Sequence, residues 1–308
     1  MSTIPRNSVV VAVDGSPSSG AALDWAIEEA GRRRLPLHLV HAFGVDYSMV
    51  ARPAIAPDGV SVDDEILDES LARVHSLGPS VRVTAEADTG YPAPALVELS
   101  GTADSIVLGA RGRGAVRGAL LGSVSLQVAM HARCPVVVVR ALPQPGTTMP
   151  RVVVGVDGSP TSERAIEYAF AQASSRGLGL TVVHAWWMEF VEGVIATTSS
   201  AEQWERLGQE QRLLVAESHA GWREKYPEVD LREHVIRAQP AEALIGESDG
   251  AELLVVGSRG RGGFGGLLLG SVSHTVLQHA HCPVAVVRPR PDRHRDAPTD
   301  TENREDTP

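Results

Sequence analysis

The chain has 308 residues, 43% of them hydrophobic, and a formal net charge of −10. This length and composition predict a soluble globular protein with two domains of ordinary size. The negative charge argues against broad contact with nucleic acid or an anionic membrane, since both attract positive surfaces.

The predicted elements of the first half alternate between strands and helices. The apolar run SVVVAVDGS at 8–16 predicts a buried parallel strand that ends at an acid and a turn. Further strands are predicted at 36–43, 81–87, 105–109 and 135–139, and helices at 17–34, 62–76, 89–99 and 123–131. Because strands and helices of this length alternate, we expect a parallel sheet with helices on both faces.

The same order of elements returns in the second half. RVVVGVDGSP at 151–160 matches SVVVAVDGSP at an offset of 143, and from Ala238 onward the offset is 148. The second half therefore carries five extra residues between His184 and Ala238. The predicted organisation is a first domain at 1–142, a linker at 143–150, a second domain at 151–290 and a disordered tail at 291–308.

The first residues and the two cysteines bear on the compartment. The sequence begins without a charged segment followed by an apolar stretch, and it has no run of 18 or more apolar residues, so we expect neither a secretory signal nor a membrane span. Cys134 and Cys282 each precede a proline and a valine-rich run, as expected for packed thiols in a reducing compartment. We predict a cytoplasmic protein.

Two glycine-rich loops stand out, GARGRGAVRGALLGS at 109–123 and GSRGRGGFGGLLLGS at 257–271. Both fit G-x2-G-x9-G-S between a predicted strand and a predicted helix. Glycines let peptide N–H groups approach an anion, and we expect Ser123 and Ser271 to cap helices whose free N–H groups suit phosphate. The alternative interpretation is a flexible, solvated connection with an ordinary serine cap. A lysine-bearing Walker A loop is excluded, because the only lysine is Lys225.

One acid follows the first strand of each half. Ligands of open α/β sheets bind beyond the carboxyl ends of the strands, so we expect Asp14 and Asp157 to face the loops at 109–123 and 257–271. Such an acid could bind nucleotide hydroxyls or base nitrogens, or hold Mg²⁺ bound to phosphate. Alternatively, each carboxylate belongs to an Asp-Gly turn and caps the next helix. Both interpretations stay open at this stage.

Several motifs together carry a family resemblance. VAVDGS, LVHAF, GYPA and G-x2-G-x9-G-S followed by Val-Ser resemble the universal stress proteins, specifically the ATP-binding branch with two tandem domains, over about residues 6–290. The resemblance implies two tandem Rossmann-like α/β domains. Each is a five-stranded parallel sheet of order 3-2-1-4-5 flanked by helices, with one bound ATP, accompanied by Mg²⁺.

Matching the motifs residue by residue implies two ATP-binding sets, without a catalytic residue or a protein-bound metal. The first-domain set is Ala12, Asp14, Ala42, Gly109, Ala110, Arg111, Gly112, Arg113, Gly114, Ala115, Gly122, Ser123 and Val124. The second-domain set is Gly155, Asp157, Ala185, Gly257, Ser258, Arg259, Gly260, Arg261, Gly262, Gly263, Gly270, Ser271, Val272 and Ser273. Ala42 and Ala185, just past the second strand, are expected to offer backbone contacts to adenine. Because Ala238 stands where Gly90 would, its Cβ is expected to tighten the second site.

The resemblance implies an ATP-binding regulatory protein of the stress response rather than an enzyme, with slow ATP hydrolysis left open. Two alternatives are weighed against it. An ATP-using enzyme of related fold, a slow ATPase or an adenylyl transferase, would need a catalytic lysine or clustered acids near the loops. A nucleotide-free interaction module would have degenerate loops, and both loops are intact. The dinucleotide fingerprint at Gly260, Gly262 and Gly265 is weak, because Arg117 breaks it in the first loop.

The expected partners are ATP and an unidentified protein, without nucleic acid or membrane. The resemblance further implies pairing through the fifth strand. The segments 136–139 and 284–287 could therefore pair within one chain. The same strand pairing between two chains would give a homodimer. Such pairing would cover two strand edges that otherwise invite aggregation.

Overall fold

The computed structural model describes residues 5–42, 64–88, 90–114, 120–140, 150–186, 201–261 and 268–289. Its strands are β1 Val9–Ala12, β2 Leu37–Ala42, β3 Val83–Asp88, β4 Ser105–Gly109, β5 Val136–Val139, β6 Arg151–Gly155, β7 Gly179–Ala185, β8 Leu231–Ile236, β9 Leu253–Gly257 and β10 Val284–Val287. Its helices are α1 Pro17–Arg33, α2 Glu65–Leu77, α3 Pro92–Leu99, α4 Ser123–His131, α5 Pro160–Arg176, α6 Ala201–Lys225, α7 Pro240–Glu247 and α8 Ser271–His279. The predicted tail at 291–308 and all of the predicted linker except Pro150 lie outside the described residues.

The ten strands form a single sheet in the order β3-β2-β1-β4-β5-β10-β9-β6-β7-β8. Pairing is parallel within each half, so each half has the order 3-2-1-4-5. The halves meet at β5 and β10, which are antiparallel and place Val138 opposite Val284 and Val136 opposite Val286. Each half thereby covers one open edge of the other.

Alternating side chains of the strands enter two apolar cores, one on each face of the sheet. Val9 and Val11 belong to the core beneath α1 and α5, whereas Val10 belongs to the core beneath α4 and α8. Successive strand residues point to opposite faces, so a strand with helices on both sides must be apolar throughout. This is the physical reason for the uninterrupted valine runs in the sequence.

The ends of the helices follow local capping chemistry. The Ser16 hydroxyl accepts a hydrogen bond from the Ser19 N–H, which starts α1 at Pro17. The helix predicted at 62–76 begins three residues later, because the carboxylate of Asp64 accepts from the first N–H groups of α2. The strand predicted from Val81 likewise begins later, at Val83.

Two equivalent arginines connect the halves beside the β5–β10 seam. Arg140 Nη1 donates to Leu120 O of its own half at 2.8 Å and to Leu277 O of α8 at 3.3 Å. Arg288 Nη2 donates to Leu268 O at 3.0 Å and to carbonyls in the last turn of α4. The last carbonyls of a helix lack intrahelical partners and attract cations. Each arginine therefore joins the end of one glycine-rich loop to a helix of the other half.

The remaining expectations for the fold concern the thiols and the membrane. Cys134 and Cys282 are buried, and burial raises the pKa of each thiol to about 12, so both are packing residues with little thiolate at neutral pH. Among the described residues, none of the helices combines the length and apolarity that crossing a membrane requires.

Candidate functional site

The first half contains a cavity of about 280 Å³ at the carboxyl ends of β1, β2 and β4. β1 lies between β2 and β4: the chain runs from β1 to β2 and β3 on one side and then crosses to β4 and β5 on the other. Open α/β sheets bind ligands at such a reversal of strand order. The cavity is lined by Ala12, Val13, Asp14, Ser19, Val40, Ala42, Pro92, Leu96, Leu108, Gly109, Arg111, Gly112, Arg113, Gly114, Gly122, Ser123, Val124 and Ser125.

Most of the residues predicted for the first site line this cavity. The eleven that do are Ala12, Asp14, Ala42, Gly109, Arg111, Gly112, Arg113, Gly114, Gly122, Ser123 and Val124. Ala110 does not line it, because this residue is buried behind the loop and its N–H donates to Val139 O at 2.9 Å. Ala115 lies outside the described residues. Ala42 and Ala185, expected just past a strand, are the last residues of β2 and β7.

The lining also contains residues that the sequence analysis did not select. They are Val13, Ser19, Val40, Pro92, Leu96, Leu108 and Ser125. The apolar members resemble core residues in their spacing, and periodicity does not separate the wall of a cavity from a packed core. Ser125 could have been found, because it matches Ser273, which was selected in the second half.

Asp14 connects the end of β1 to the glycine-rich loop. Its Oδ1 accepts from the Ser16 N–H at 3.0 Å, and its Oδ2 accepts from the Arg113 N–H at 2.9 Å. Asp157 repeats this arrangement with the N–H groups of Ser159, at 3.0 Å, and Arg261, at 2.7 Å. Each acid therefore faces its loop. The Asp-Gly turn of the alternative interpretation is present as well, because each carboxylate accepts from the N–H two residues later. The N-caps of α1 and α5 are, however, Ser16 and Ser159 and not the acids.

The hydrogen bonds also set the charge of these acids. Burial opposes ionisation of Asp14, but the bonds from Ser16, Arg113 and Ser19 outweigh it, so that the pKa of the Asp14 carboxyl is lowered. The pKa of Asp157 is lowered in the same way, by bonds from Ser159 and from the loop backbone against the effect of burial. Both carboxylates are therefore ionised at neutral pH and act as acceptors for the loops.

The loop glycines make room for the protein itself. A Cβ on Gly112 would lie 2.5 Å from Asp14 Oδ2, and one on Gly109 would lie 2.6 Å from the backbone carbon of Ser18. The interpretation that these glycines leave space for a ligand is therefore incomplete, because the acid and α1 already occupy that space. Gly114 differs, since a Cβ there would meet no atom of the described residues within 4 Å.

The helices after the loops begin without a side-chain cap. The N-cap residues are Gly122 and Gly270, so the prediction that Ser123 and Ser271 cap these helices is wrong: both are the first helical residues. Two residues later, Ser125 donates from Oγ to Gly109 O at 2.7 Å and anchors α4 to β4. An uncapped helix start keeps donors available and favours an anion. In the first half these donors lie beside Arg111 and Arg113 of the same cavity.

The second half has a different surface around its loop. An open depression there is lined by Gly158, Ser159, Pro160, Thr161, Arg259, Gly260 and Arg261. Of the predicted second-site residues, three line it: Arg259, Gly260 and Arg261. Gly262 and Gly263 lie outside the described residues. The remaining predicted residues do not line this depression; they are Gly155, Asp157, Ala185, Gly257, Ser258, Gly270, Ser271, Val272 and Ser273.

Leu244 explains part of this difference. Gly155 is predicted from the motifs to border the ligand space, yet a Cβ there would lie 2.8 Å from Leu244 Cδ1. The matching residues of the first half, Ala12 and Leu96, both line the cavity. Because Gly155 lacks a methyl group, the Leu244 side chain packs onto the end of β6.

Two tryptophans and an arginine contact one another: Trp186 follows β7, Arg237 follows β8, and Trp204 belongs to α6. The backbone N–H of Trp186 donates to Ile236 O at 3.0 Å, and the centres of the Trp186 and Trp204 rings are 6.1 Å apart. Arg237 places its Cζ 3.7 Å from the centre of the Trp204 ring, a cation–π contact. These contacts pack the three side chains together. Trp187 lies outside the described residues.

The fold and the loops define a class: a tandem α/β protein in which an acid after the first strand of each half binds a glycine-rich loop after the fourth. A family model described as "Universal stress protein family" matches residues 5–140 and 149–288. The chain therefore belongs to the universal stress protein family, which confirms the resemblance seen in its motifs.

Similar proteins agree with this assignment. A universal stress protein of Mycobacterium tuberculosis is 40% identical over 295 residues, which cover 92% of this chain and 97% of the relative. One of Mycolicibacterium smegmatis is 39% identical, with the same coverage. A universal stress protein structure from Archaeoglobus fulgidus has a TM-score of 0.59 at 20% identity, covering 92% of this chain and 99% of that one. A functionally unknown protein of Pseudomonas aeruginosa has a TM-score of 0.62 at 18% identity, covering 92% and 93%. At these identities the two structures support the fold alone.

Proposed function

We propose that this protein binds ATP, with one site in each half, and acts as a nucleotide-dependent regulatory protein of the stress response in the cytoplasm. The observation that carries the proposal is the first-half cavity, where an apolar wall meets a cationic, donor-rich loop. A protein partner would detect the occupied state.

The lining of the cavity suits the two ends of a nucleotide. Val40, Pro92 and Leu96 form an apolar wall that can pack against a purine. The same lining also contains Arg111, Arg113 and the uncapped start of α4, which suit phosphate oxygens. Mg²⁺, as part of the ligand, would neutralise phosphate charge, and Asp14 supplies the carboxylate of the lining.

The acid in the cavity is suited to binding rather than to catalysis. A general base works best when its pKa lies near the ambient pH, whereas the hydrogen bonds to Asp14 lower the pKa of its carboxyl despite partial burial. Both of its oxygens already accept backbone N–H groups. We therefore propose a binding protein that retains its nucleotide, with ATP hydrolysis no faster than slow turnover.

The test is the nucleotide content of the purified protein, measured by mass spectrometry after denaturation and followed by titration with ATP and Mg²⁺. We expect released ATP, or saturable binding in the titration. Absence of ligand together with no binding at millimolar ATP would contradict the proposal. Rapid conversion of ATP to ADP by the pure protein would contradict the assignment as a non-enzyme.

The two sites are expected to differ in affinity. Leu244 occupies space beside Gly155 that is open beside Ala12, so we predict weaker ATP binding in the second half. Leu244→Ala should tighten the second site about tenfold or less, the equivalent of up to about 1.4 kcal/mol. Calorimetry with a two-site analysis measures this change.

Leu96→Ala, the matched change in the first half, is the control. Leu96 forms part of the apolar wall, so its truncation should weaken the first site. Both changes remove a buried leucine side chain, and we expect about 2–5 kcal/mol of lost stability in each case. If Leu244→Ala instead weakens ATP binding at the second site, as Leu96→Ala is expected to do at the first, the prediction is contradicted. Leu244 would then contact the ligand and not obstruct its site.

A further inference from the structure

Helices α1 and α5 meet beside the β5–β10 seam, and equivalent residues of the two halves come together there. At the offset of 143, Glu29 matches Gln172, Arg33 matches Arg176, and Trp25 matches Tyr168. Gln172 Nε2 donates to Glu29 Oε1 at 2.8 Å, so the two matching residues contact each other directly. This contact joins an acid in one half to an amide at the same position in the other.

The Glu29 carboxylate is the centre of this cluster. Its side chain is 0% exposed, and besides Gln172 it accepts from Arg176 Nη2 at 2.8 Å. Arg32 and Arg33 of its own helix approach at 3.3 and 3.4 Å. A carboxylate removed from water requires such partners, because burial without them is strongly unfavourable.

The two equivalent arginines have unequal roles. Arg33 donates to both oxygens of Asp104 in its own half, at 2.6 and 2.9 Å. Arg176 has a side chain that is 2% exposed; it crosses to Glu29 and lies over the Trp25 ring with its Cζ 5.3 Å from the ring centre. The buried cation of the second half therefore takes its carboxylate from the first half.

The seam strands do not distinguish one half from the other. β5 reads VVVV and β10 reads VAVV, both are buried, and both are followed by an arginine that binds a helix of the opposite half. A second copy of either strand would fit the same antiparallel pairing nearly as well. Selectivity must then come from residues that differ between the halves at their contact.

We propose that Glu29 and Gln172 make this interface selective for unlike halves, so that the first half accepts the second half of the same chain and rejects a first half from another copy. Two first halves would bury Glu29 against Glu29 without the Gln172 and Arg176 donors of the second half. Arg32 and Arg33, the latter already bound to Asp104, would then have to offset two carboxylates that repel at short range. Two second halves would bury two Arg176 cations without Glu29, the carboxylate that Arg176 binds in this chain.

Single substitutions in the full chain place like residues opposite each other at this contact, as the pairing of two like halves would. Q172E places an acid opposite an acid, and E29Q places an amide opposite an amide. We expect each to lower the thermal midpoint by about 10 °C. In E29Q/Q172E the acid and the amide exchange sides, and the acid at position 172 stays next to Arg176, which already donates to the Gln172 side-chain oxygen. We expect this double variant to recover at least half of the summed loss.

E28Q is the matched control, since Glu28 lies on the same helix, also contacts Arg32, and has a side chain that is 68% exposed. We expect its midpoint to equal that of the unchanged chain. The proposal is overturned if E29Q and Q172E stay within about 1 °C of the unchanged chain, or if their losses simply add in the double variant. If Q172E does not fold, folding of the double variant supports the proposal, and failure of both overturns it.

Discussion

Gly112→Ala is expected to weaken ATP binding at the first site about 100-fold, equivalent to about 2.7 kcal/mol. The added Cβ would lie 2.5 Å from Asp14 Oδ2, so the carboxylate and the loop cannot keep their present separation. The hydrogen bond from the Arg113 N–H would be lost, and the loop would leave the cavity wall. Gly260→Ala should act in the same way on Asp157, so the double variant should lose both sites while keeping its fold. Calorimetric titration with ATP, with circular dichroism as the check on folding, measures both effects.

Gly114→Ala distinguishes two explanations for the effect. Gly114 lines the same cavity, but within the described part of the chain a Cβ there has no neighbour closer than 4 Å. We expect a change in affinity of no more than a few-fold. If Gly114→Ala weakens binding as strongly as Gly112→Ala, the glycines serve by leaving room for the ligand, and the contact with Asp14 is not the cause. Unchanged affinity in Gly112→Ala would contradict both explanations.

Gly109→Ala is expected to destabilise the protein by about 3 kcal/mol, the upper end of the range for an overpacked interior position. Its Cβ would lie 2.6 and 2.7 Å from the backbone carbon and oxygen of Ser18, in the first turn of α1. Backbone atoms of a capped helix cannot move aside without breaking hydrogen bonds. The matched change, Gly257→Ala, should cost about 1 kcal/mol, because its nearest neighbour is the Thr161 methyl group at 2.9 Å.

Urea unfolding compares these variants through the shift of their midpoints. Gly20→Ala is the control: it lies on the same helix as Ser18, its Cβ would meet nothing within 4 Å, and alanine favours the helix by about 1 kcal/mol. We expect this control to be slightly more stable than the unchanged chain. Equal losses for Gly109→Ala and Gly257→Ala would show that the distance to the α1 backbone is not the decisive factor.

Much of the candidate site could be predicted from sequence because its parts are local. The acid follows a valine run, the loop follows another, and both patterns occur twice with the same spacing, so Asp14 and Gly112 were selected together. The prediction that Ser123 is the N-cap of α4 is wrong, and the reason is local as well. The helix begins one residue earlier than that assignment assumed, with Gly122 as its N-cap, and spacing alone does not determine which residue has the non-helical conformation.

The sequence by itself determined the class of fold, the duplication and the family, because alternation of apolar runs and repeated glycine spacing are properties of neighbouring residues. Only the tertiary structure decided what each loop glycine contacts, how Leu244 packs over Gly155, and that Glu29 meets Gln172. Those contacts join residues that are 89 and 143 positions apart, as in Gly155–Leu244 and Glu29–Gln172. Their geometry depends on strand register and on the angle between helices, which the periodicity of one segment does not specify.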